Sequence, residues 1–439
     1  MRTEKGLELW NRAKEIIPGG AQLLSKRSEQ FLPGQWPSYY SRAKGVDIWD
    51  LDGNQFVDMS LMGVGACILG YADEDVNQAV KKVIDAGSMS TLNSPEEVEL
   101  AELLLSLDPW ADMVRFARTG GEAMAIAVRI ARAHTRKDKI AFCGYHGWHD
   151  WYLSANLADD QNLDGQLLPG LEPLGVPRGL KGTAIPFHYN KVDELENIVE
   201  NNDIGTIILE PVRQHKPENN FLAKVKKIAE EINAVLIFDE ISSGWRMKVG
   251  GAYELYQGQP DVVVYAKAMS NGFPMAAVVG KEEIMDAAQS TFISSTYWTD
   301  RVGPAAALAT IKKLKNNNVP QHLCRMGVVI SDGWRKLAQE HDLDLEIMTE
   351  GLQSIPTFEF NYGDQNLALQ TFFTQEMLDL GYLASKHVYV AYPHNEAILE
   401  KYLENLDTVF GKIKIGLEKN NIKQLLKGPV AHSGFKRLT

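Results

Sequence analysis

Ala234-Val235-Leu236-Ile237-Phe238-Asp239 and Asp261-Val262-Val263-Val264-Tyr265-Ala266-Lys267 are the stretches on which the fold of this chain turns. Each is an apolar run rich in β-branched or aromatic residues and closed by a charged side chain. A strand wet on one face alternates apolar with polar residues; a run apolar throughout marks a strand covered on both faces, as in parallel sheets. Outward from these two, Thr206-Ile207-Ile208-Leu209 and Ala141-Phe142-Cys143 are runs of the same kind. Helix-period segments lie between them: Val225, Ile228 and Ile232 recur at helical spacing, and the stretch from Ala123 to Ala133 is alanine-rich. Strand alternating with helix predicts an α/β architecture, a large domain with a mostly parallel central sheet flanked by helices.

The two ends read differently. Residues 1–55 combine a helix from Gly6 to Ile17, a turn at Pro18-Gly19-Gly20 and a hairpin centred on Asp52-Gly53-Asn54, where apolar residues alternate on either side. From about residue 310 the chain is largely helical and charged, including Asn395 to Leu417. The expected division is a large ligand-binding domain over 56–310 and a smaller α+β domain built from both termini, 1–55 and 311–439.

Composition sets the outer limits. The chain has 439 residues, 45% hydrophobic and 23% charged, which is ordinary globular material and excludes collagen-like and low-complexity classes. Its 45 basic and 57 acidic residues leave a net charge of −12, a field that repels phosphate backbones and anionic lipid and argues against nucleic acid or a membrane surface as partner. Cys67, Cys143 and Cys324 are scattered with no CxxC spacing, the usage of a reducing compartment. The N-terminus lacks the apolar core of a secretion signal, and Ser60 to Ala72 is too short and glycine-rich to span a bilayer. A soluble, cytoplasmic protein is expected.

Three features sit where an open α/β sheet places its ligands, just past the C-terminal ends of strands. Thr119-Gly120-Gly121-Glu122-Ala123 opens the alanine-rich helix; its glycines admit a ligand close to the backbone, and first-turn amides with the helix dipole favour an anion. Asp239 is a carboxylate delivered at the mouth of a buried strand, costly there unless it meets a cation. Lys267, 28 positions further on, is an amine at a strand end, where partial desolvation suits it to attack a carbonyl carbon. Singly, each has an ordinary explanation: a capped helix, an ion pair, a snorkelling lysine. Together with the aromatic Tyr145 they make a set that a phosphorylated pyridine aldehyde needs: phosphate cradle, stacking face, counter-charge for a ring nitrogen and an imine-forming amine.

The ordered motifs resemble those of the class III aminotransferases of pyridoxal-phosphate (PLP) fold type I, most of all the branch containing glutamate-1-semialdehyde 2,1-aminomutase. They run from Ile17-Pro18-Gly19-Gly20 and Trp49-Asp50-Leu51-Asp52-Gly53-Asn54 through Gly120-Gly121-Glu122-Ala123-Met124, Tyr145-His146-Gly147, Leu209-Glu210-Pro211-Val212 and Phe238-Asp239-Glu240 to Lys267 before Gly272-Phe273-Pro274. The resemblance implies pyridoxal 5'-phosphate as cofactor and a homodimer with the active site at the subunit interface. Lys267 matches the lysine that joins the cofactor, Asp239 the partner of its ring nitrogen, Tyr145 and Ile241 the residues on its two faces. Thr119, Gly120 and Gly121 match the phosphate loop, although the family usually carries a hydroxyl residue where Gly121 stands. His146, Glu210 and His215 fall among the cofactor-binding positions, His215 where the aminomutase branch tends to have an asparagine. Thr299, with Thr296 as the alternative, matches a threonine that reaches the phosphate of the neighbouring subunit.

The departures bear on substrate. Gln22-Leu23-Leu24-Ser25-Lys26-Arg27 replaces the aminomutase arginine loop at a different spacing, which favours transfer between an amine donor and a separate aldehyde or ketone over intramolecular exchange. Gly144-Tyr145-His146-Gly147-Trp148 and the closing Gly428-Pro429-Val430-Ala431-His432-Ser433-Gly434-Phe435 resemble surface-sugar aminotransferases. Arg27, Trp148 and Arg213 are candidate substrate contacts, and Arg27, Arg213, Arg246 and Arg301 candidate carboxylate clamps. Rival readings are a metal-dependent hydrolase using His146, His149 and Asp150, which lacks a third ligand of matching context, and a nicotinamide enzyme, which lacks a G-x-G-x-x-G turn. Met59, Met62 and Trp148 read as packing residues.

Overall fold

A computed structural model describes residues 3–348 and 350–434; Phe435, the last residue of the closing motif, lies outside them. The chain forms two compact units: residues up to Asp73 with those from Gln321 onward, and Glu74–Pro320 between them.

The first unit opens with α1 (Glu4–Ile16), which buries Gly6, Trp10 and Ala13. Strands β1 (Tyr40–Lys44), β2 (Asp47–Asp50) and β3 (Gln55–Met59) follow as an antiparallel meander. The hairpin expected at Asp52-Gly53-Asn54 forms between β2 and β3, closed by Asp50 Oδ1, which accepts from the amides of Asp52 (2.9 Å) and Asn54 (2.8 Å).

The second unit runs through α2 (Glu74–Asp85), α3 (Pro95–Leu107), β4 (Met113–Ala117), α4 (Gly120–Thr135), β5 (Lys139–Cys143), α5 (Asp150–Leu153), β6 (Ala184–Pro186), α6 (Val192–Asn201), β7 (Ile204–Leu209), α7 (Phe221–Glu231), β8 (Val235–Asp239), β9 (Val262–Tyr265), β10 (Ala276–Gly280), α8 (Glu282–Met285) and α9 (Val302–Asn316). Its seven-stranded sheet has the order β4-β10-β9-β8-β7-β5-β6. Contacts from β9 through β6 are parallel, and β10 runs antiparallel to both of its neighbours. All four apolar runs read from the sequence are strands of this sheet. Every residue of β7, β8 and β9 is buried, which is why these strands are apolar throughout rather than alternating. Helix α4 covers one face: Ala123, Met124, Ile126, Ala127 and Ile130 share one core cluster with Ile140, Phe142, Ile237, Val264 and Val278.

The chain then completes the first unit with α10 (Val319–Glu340), the antiparallel pair β11 (Leu345–Met348) and β12 (Thr357–Phe360), α11 (Asn366–Asp379), β13 (Tyr382–Ala384), α12 (Glu396–Glu418) and α13 (Ile422–Leu425). Strand β13 lies parallel to β3, so one four-stranded sheet draws on segments far apart in the chain. Among the described residues no helix is long and apolar enough to cross a membrane.

Candidate active site

The features singled out in the sequence converge within Glu74–Pro320, at the C-terminal ends of β5, β7, β8 and β9 and the start of α4. Asp239 ends β8 and is 2% exposed. Its Oδ2 is 2.8 Å from His146 Nδ1, and its Oδ1 accepts from the Ile241 amide at 3.0 Å. His146 Nε2 lies 3.1 Å from the Cys143 carbonyl, which can only accept, so both ring nitrogens face oxygen. The imidazole, itself buried, therefore fixes the carboxylate and supplies the polar contact such a group needs away from water. Each carboxylate oxygen has a lone pair to spare, so Asp239 can still accept from one more donor.

Lys267 follows β9 at the start of a short 3₁₀ turn. Its φ of +45° lies in the left-handed region, which costs a non-glycine residue on the order of 1–3 kcal/mol. Such strain persists where the surroundings hold the side chain in place, and here Nζ donates to Ser242 Oγ at 2.7 Å. The same hydroxyl accepts from Arg213 Nη1 at 3.3 Å, and that guanidinium bonds Glu210 Oε1 at 2.6 Å. Glu210 Oε2 accepts from the Tyr145 amide at 3.3 Å. Burial pushes the Glu210 carboxyl up, but the charges of Arg213 and His146 outweigh it and hold the group below its ordinary range. A continuous polar chain thus joins Lys267 to the loop carrying Tyr145. Tyr145 is half-buried against the core, and burial, with the Asp239 charge behind it, raises its phenol above the usual value.

Thr119 caps α4 in a reciprocal box: its Oγ1 accepts from the Glu122 amide (3.4 Å), and Glu122 Oε2 accepts from the Thr119 amide (3.0 Å). Of the first-turn amides, those of Gly120 and Gly121 are left by helix geometry without an intrahelical acceptor. A Cβ on Gly120 would stand 2.9 Å from Ile241 Cδ1, so the bare backbone there is what lets Ile241 close over the helix start. An anion cup beside an aliphatic wall, a buried carboxylate with acceptor capacity and an anchored amine fit a phosphorylated pyridine aldehyde.

His215 is exposed in the segment after β7. Thr296 and Thr299 lie in an exposed turn, Thr299 Oγ1 donating to the Thr296 carbonyl at 2.9 Å. Arg118 ties that turn to the start of α4, donating to the carbonyls of Trp298 (2.8 Å) and Asp300 (2.7 Å) and pairing with the Asp300 carboxylate at 2.9 Å. Arg301 is engaged by both oxygens of Glu96, and Arg246 is buried. Arg27 belongs to the other unit, where its guanidinium lies on the Pro18-Gly19-Gly20 turn. Met59 and Met62 are core residues, but Trp148, expected to pack, is 69% exposed because its loop turns it outward over His149. The hydrolase alternative has no support: His146 is turned onto Asp239 and His149 stacks on Trp148, and among the described residues no group of three or more His, Cys, Asp or Glu is placed to hold a metal ion. Ser242 and Gln166, whose Oε1 accepts from the Gly144 amide at 2.6 Å, were missed by sequence reasoning. Ser242 stands three residues past Asp239, a position that a scan continued beyond the carboxylate would have met; nothing in the sequence singles out Gln166.

Residues 33–386 match the family model described as aminotransferase class-III. The chain is 30% identical over 426 residues to 3-aminobutyryl-CoA aminotransferase of Cloacimonas acidaminovorans, covering 94% of this chain and 98% of that one. It is 32% identical over 428 residues to glutamate-1-semialdehyde 2,1-aminomutase of Methanothrix thermoacetophila, covering 92% and 96%. Among solved structures, an omega-transaminase from Sphaerobacter thermophilus matches with a TM-score of 0.80 at 22% identity, over 93% of this chain and 98% of the other. A glutamate-1-semialdehyde aminomutase from Pseudomonas aeruginosa matches with a TM-score of 0.79 at 18% identity, over 93% and 94%.

Proposed function

This chain belongs to the class III aminotransferases, pyridoxal 5'-phosphate enzymes of fold type I, and we propose that it moves an amino group from an amine donor, an amino acid such as glutamate, to a separate aldehyde or ketone. The observation that carries the reading is the pairing of an amine and a carboxylate at adjacent strand ends: Lys267 Nζ on Ser242 Oγ at 2.7 Å, and Asp239 fixed by His146 at 2.8 Å. When bound, the cofactor supplies an aldehyde for amines to condense with and a protonated ring that draws an electron pair from the substrate Cα. Thr119, Gly120 and Gly121 would hold its phosphate, Tyr145 and Ile241 its faces, Asp239 its ring nitrogen and Lys267 its aldehyde carbon, with His215 and Thr299 as outer contacts.

The work of the protein is then proton management. Lys267 Nζ would be the base that removes the Cα proton of the donor, and the Ser242 hydroxyl, 2.7 Å away, would keep it in the site. Asp239 would hold a proton on the ring nitrogen by its fixed negative charge, and His146, 2.8 Å away, keeps that carboxylate oriented. Arg213 is compensated by Glu210, so it meets a substrate carboxylate only by exchanging partners.

The acceptor we propose is a keto or aldehyde sugar of surface-polysaccharide synthesis, supported by the Gly144–Trp148 and Gly428–Gly434 motifs. Likeness to the aminomutase at 32% identity supports a second reading, intramolecular exchange within one amino aldehyde. A half-reaction screen tests both. Amine donors are mixed singly with the holoenzyme and scored by loss of the near-visible chromophore, then acceptors by its return. A donor that converts the chromophore and an acceptor that restores it support transfer; a protein that takes up no cofactor, or whose chromophore survives borohydride unbleached, overturns the reading. We also propose a cytoplasmic homodimer, in keeping with the scattered thiols and with exposed Leu92, Phe292 and Tyr297.

A further inference from the structure

The phosphate loop departs from its family at Gly121, where a hydroxyl side chain is usual, and the structure shows what stands there instead. A Cβ on Gly121 would lie 3.1 Å from His149 Cε1, 3.2 Å from His149 Nδ1 and 3.5 Å from Trp148 Nε1. The imidazole therefore fills the room that a residue 121 side chain would take. Two features hold it there. Gly147 has φ +106°, a conformation open to glycine, and a Cβ on it would stand 3.2 Å from Gly121 Cα, so the loop and the helix start meet backbone to backbone. The Trp148 indole then stacks on His149, ring centroids 4.4 Å apart and planes 28° apart, which sets the orientation of the imidazole. His149 Nδ1 is buried and has no hydrogen-bond partner among the described residues, an arrangement that native interiors rarely leave unexplained. Burial lowers the pKa of the ring, against the opposing pull of Glu122 and Asp150, the acids that face it from α4 and α5.

We propose that His149 provides the phosphate contact that the absent side chain at position 121 would have made, its imidazole donating to a phosphate oxygen at the start of α4. The inference rests on the cofactor reading above and adds a binding residue to it. Gly121, Gly147, Trp148 and His149 form one device: two glycines make the approach, the tryptophan orients, and the histidine donates.

The test uses ligands that bind without a covalent link. Dissociation constants of pyridoxamine 5'-phosphate and of pyridoxamine are measured on the apoprotein by fluorescence titration, with the phosphorus NMR shift of the bound phosphate as a second readout. His149→Phe, which keeps the stack but removes the donor, should weaken the phosphorylated ligand at least about tenfold, the loss of one hydrogen bond to a charged group, and leave pyridoxamine unchanged. His149→Gln should keep part of the affinity. Gly121→Ser in the His149→Ala background should recover most of it by restoring the hydroxyl. Equal weakening of both ligands, or of neither, overturns the inference while leaving the cofactor reading intact. Failure of the wild-type protein to bind either ligand refutes the cofactor reading and the inference with it.

Discussion

Asp239 keeps acceptor capacity after His146 and the Ile241 amide are served, and that capacity decides what the residue is for. Asp239→Asn keeps the volume but removes the charge and places an amide hydrogen where an acceptor stood. We expect the cofactor to bind and the turnover number to fall by about 10²–10⁴-fold, the range for loss of proton-transfer assistance; an unchanged rate would mean that another group holds the ring nitrogen. Lys267→Ala should abolish turnover while the circular dichroism spectrum stays that of the wild type, and activity in that variant would remove the lysine from the mechanism. The two substitutions separate charge from nucleophile. His146→Ala leaves a buried carboxylate without its imidazole, and a loss of about 3–5 kcal/mol in denaturant unfolding is expected.

Helix α4 and strand β8 show how an element serves the site by what it omits. Gly120 has no side chain where Ile241 closes in, so Gly120→Val must push Ile241 off the helix start or displace the helix itself. The expected result is a folded protein whose cofactor affinity drops at least about tenfold; retained affinity would show that Ile241 does not form that wall. Strand β8 was legible because a strand buried on both faces advertises itself as an unbroken apolar run. Strands β6 and β10 were not. Ala184-Ile185-Pro186 is three residues long at a sheet edge, and Ala276-Ala277-Val278-Val279-Gly280 is small-residue chain whose strand state comes from pairing with β4 and β9 on either side. Their identity lies in their neighbours rather than in their own propensities.

At the scale of the molecule, two buried acids with no cationic hydrogen-bond partner among the described residues tune stability to pH. Burial pushes the Glu240 carboxyl up to about 8, only partly offset by hydrogen bonds from Ser243 and the Tyr253 amide. Burial likewise raises Asp108 to about 6 against the hydroxyls of Tyr253 and Tyr265. Both groups hold protons in the folded state that the unfolded chain releases near pH 4. Their contribution is therefore complete below that range and is lost as pH rises through about 6 and then about 8. Buried His394, its pKa lowered by burial, acts in the opposite sense below about pH 6.5; from there to about pH 8.5 the unfolding midpoint should fall, and Glu240→Gln should flatten the fall. A midpoint that rises across that window would contradict the assignment.

The chain's own pattern sufficed for the layered α/β plan, for the strand ends that carry Asp239 and Lys267, and for the glycine-rich start of α4. These are properties of short segments, written in apolar runs, helical periods and turn residues that act over a few positions. What the pattern could not contain is who meets whom. His146 reaches Asp239 across 93 positions, Ser242 meets Lys267 across 25, and Trp148 turns outward to stack on a histidine that fills the place of a missing side chain. Those contacts depend on strand register and on how tightly two backbones approach, and both are settled when the sheet and its helices pack together rather than by the residues on either side in the chain.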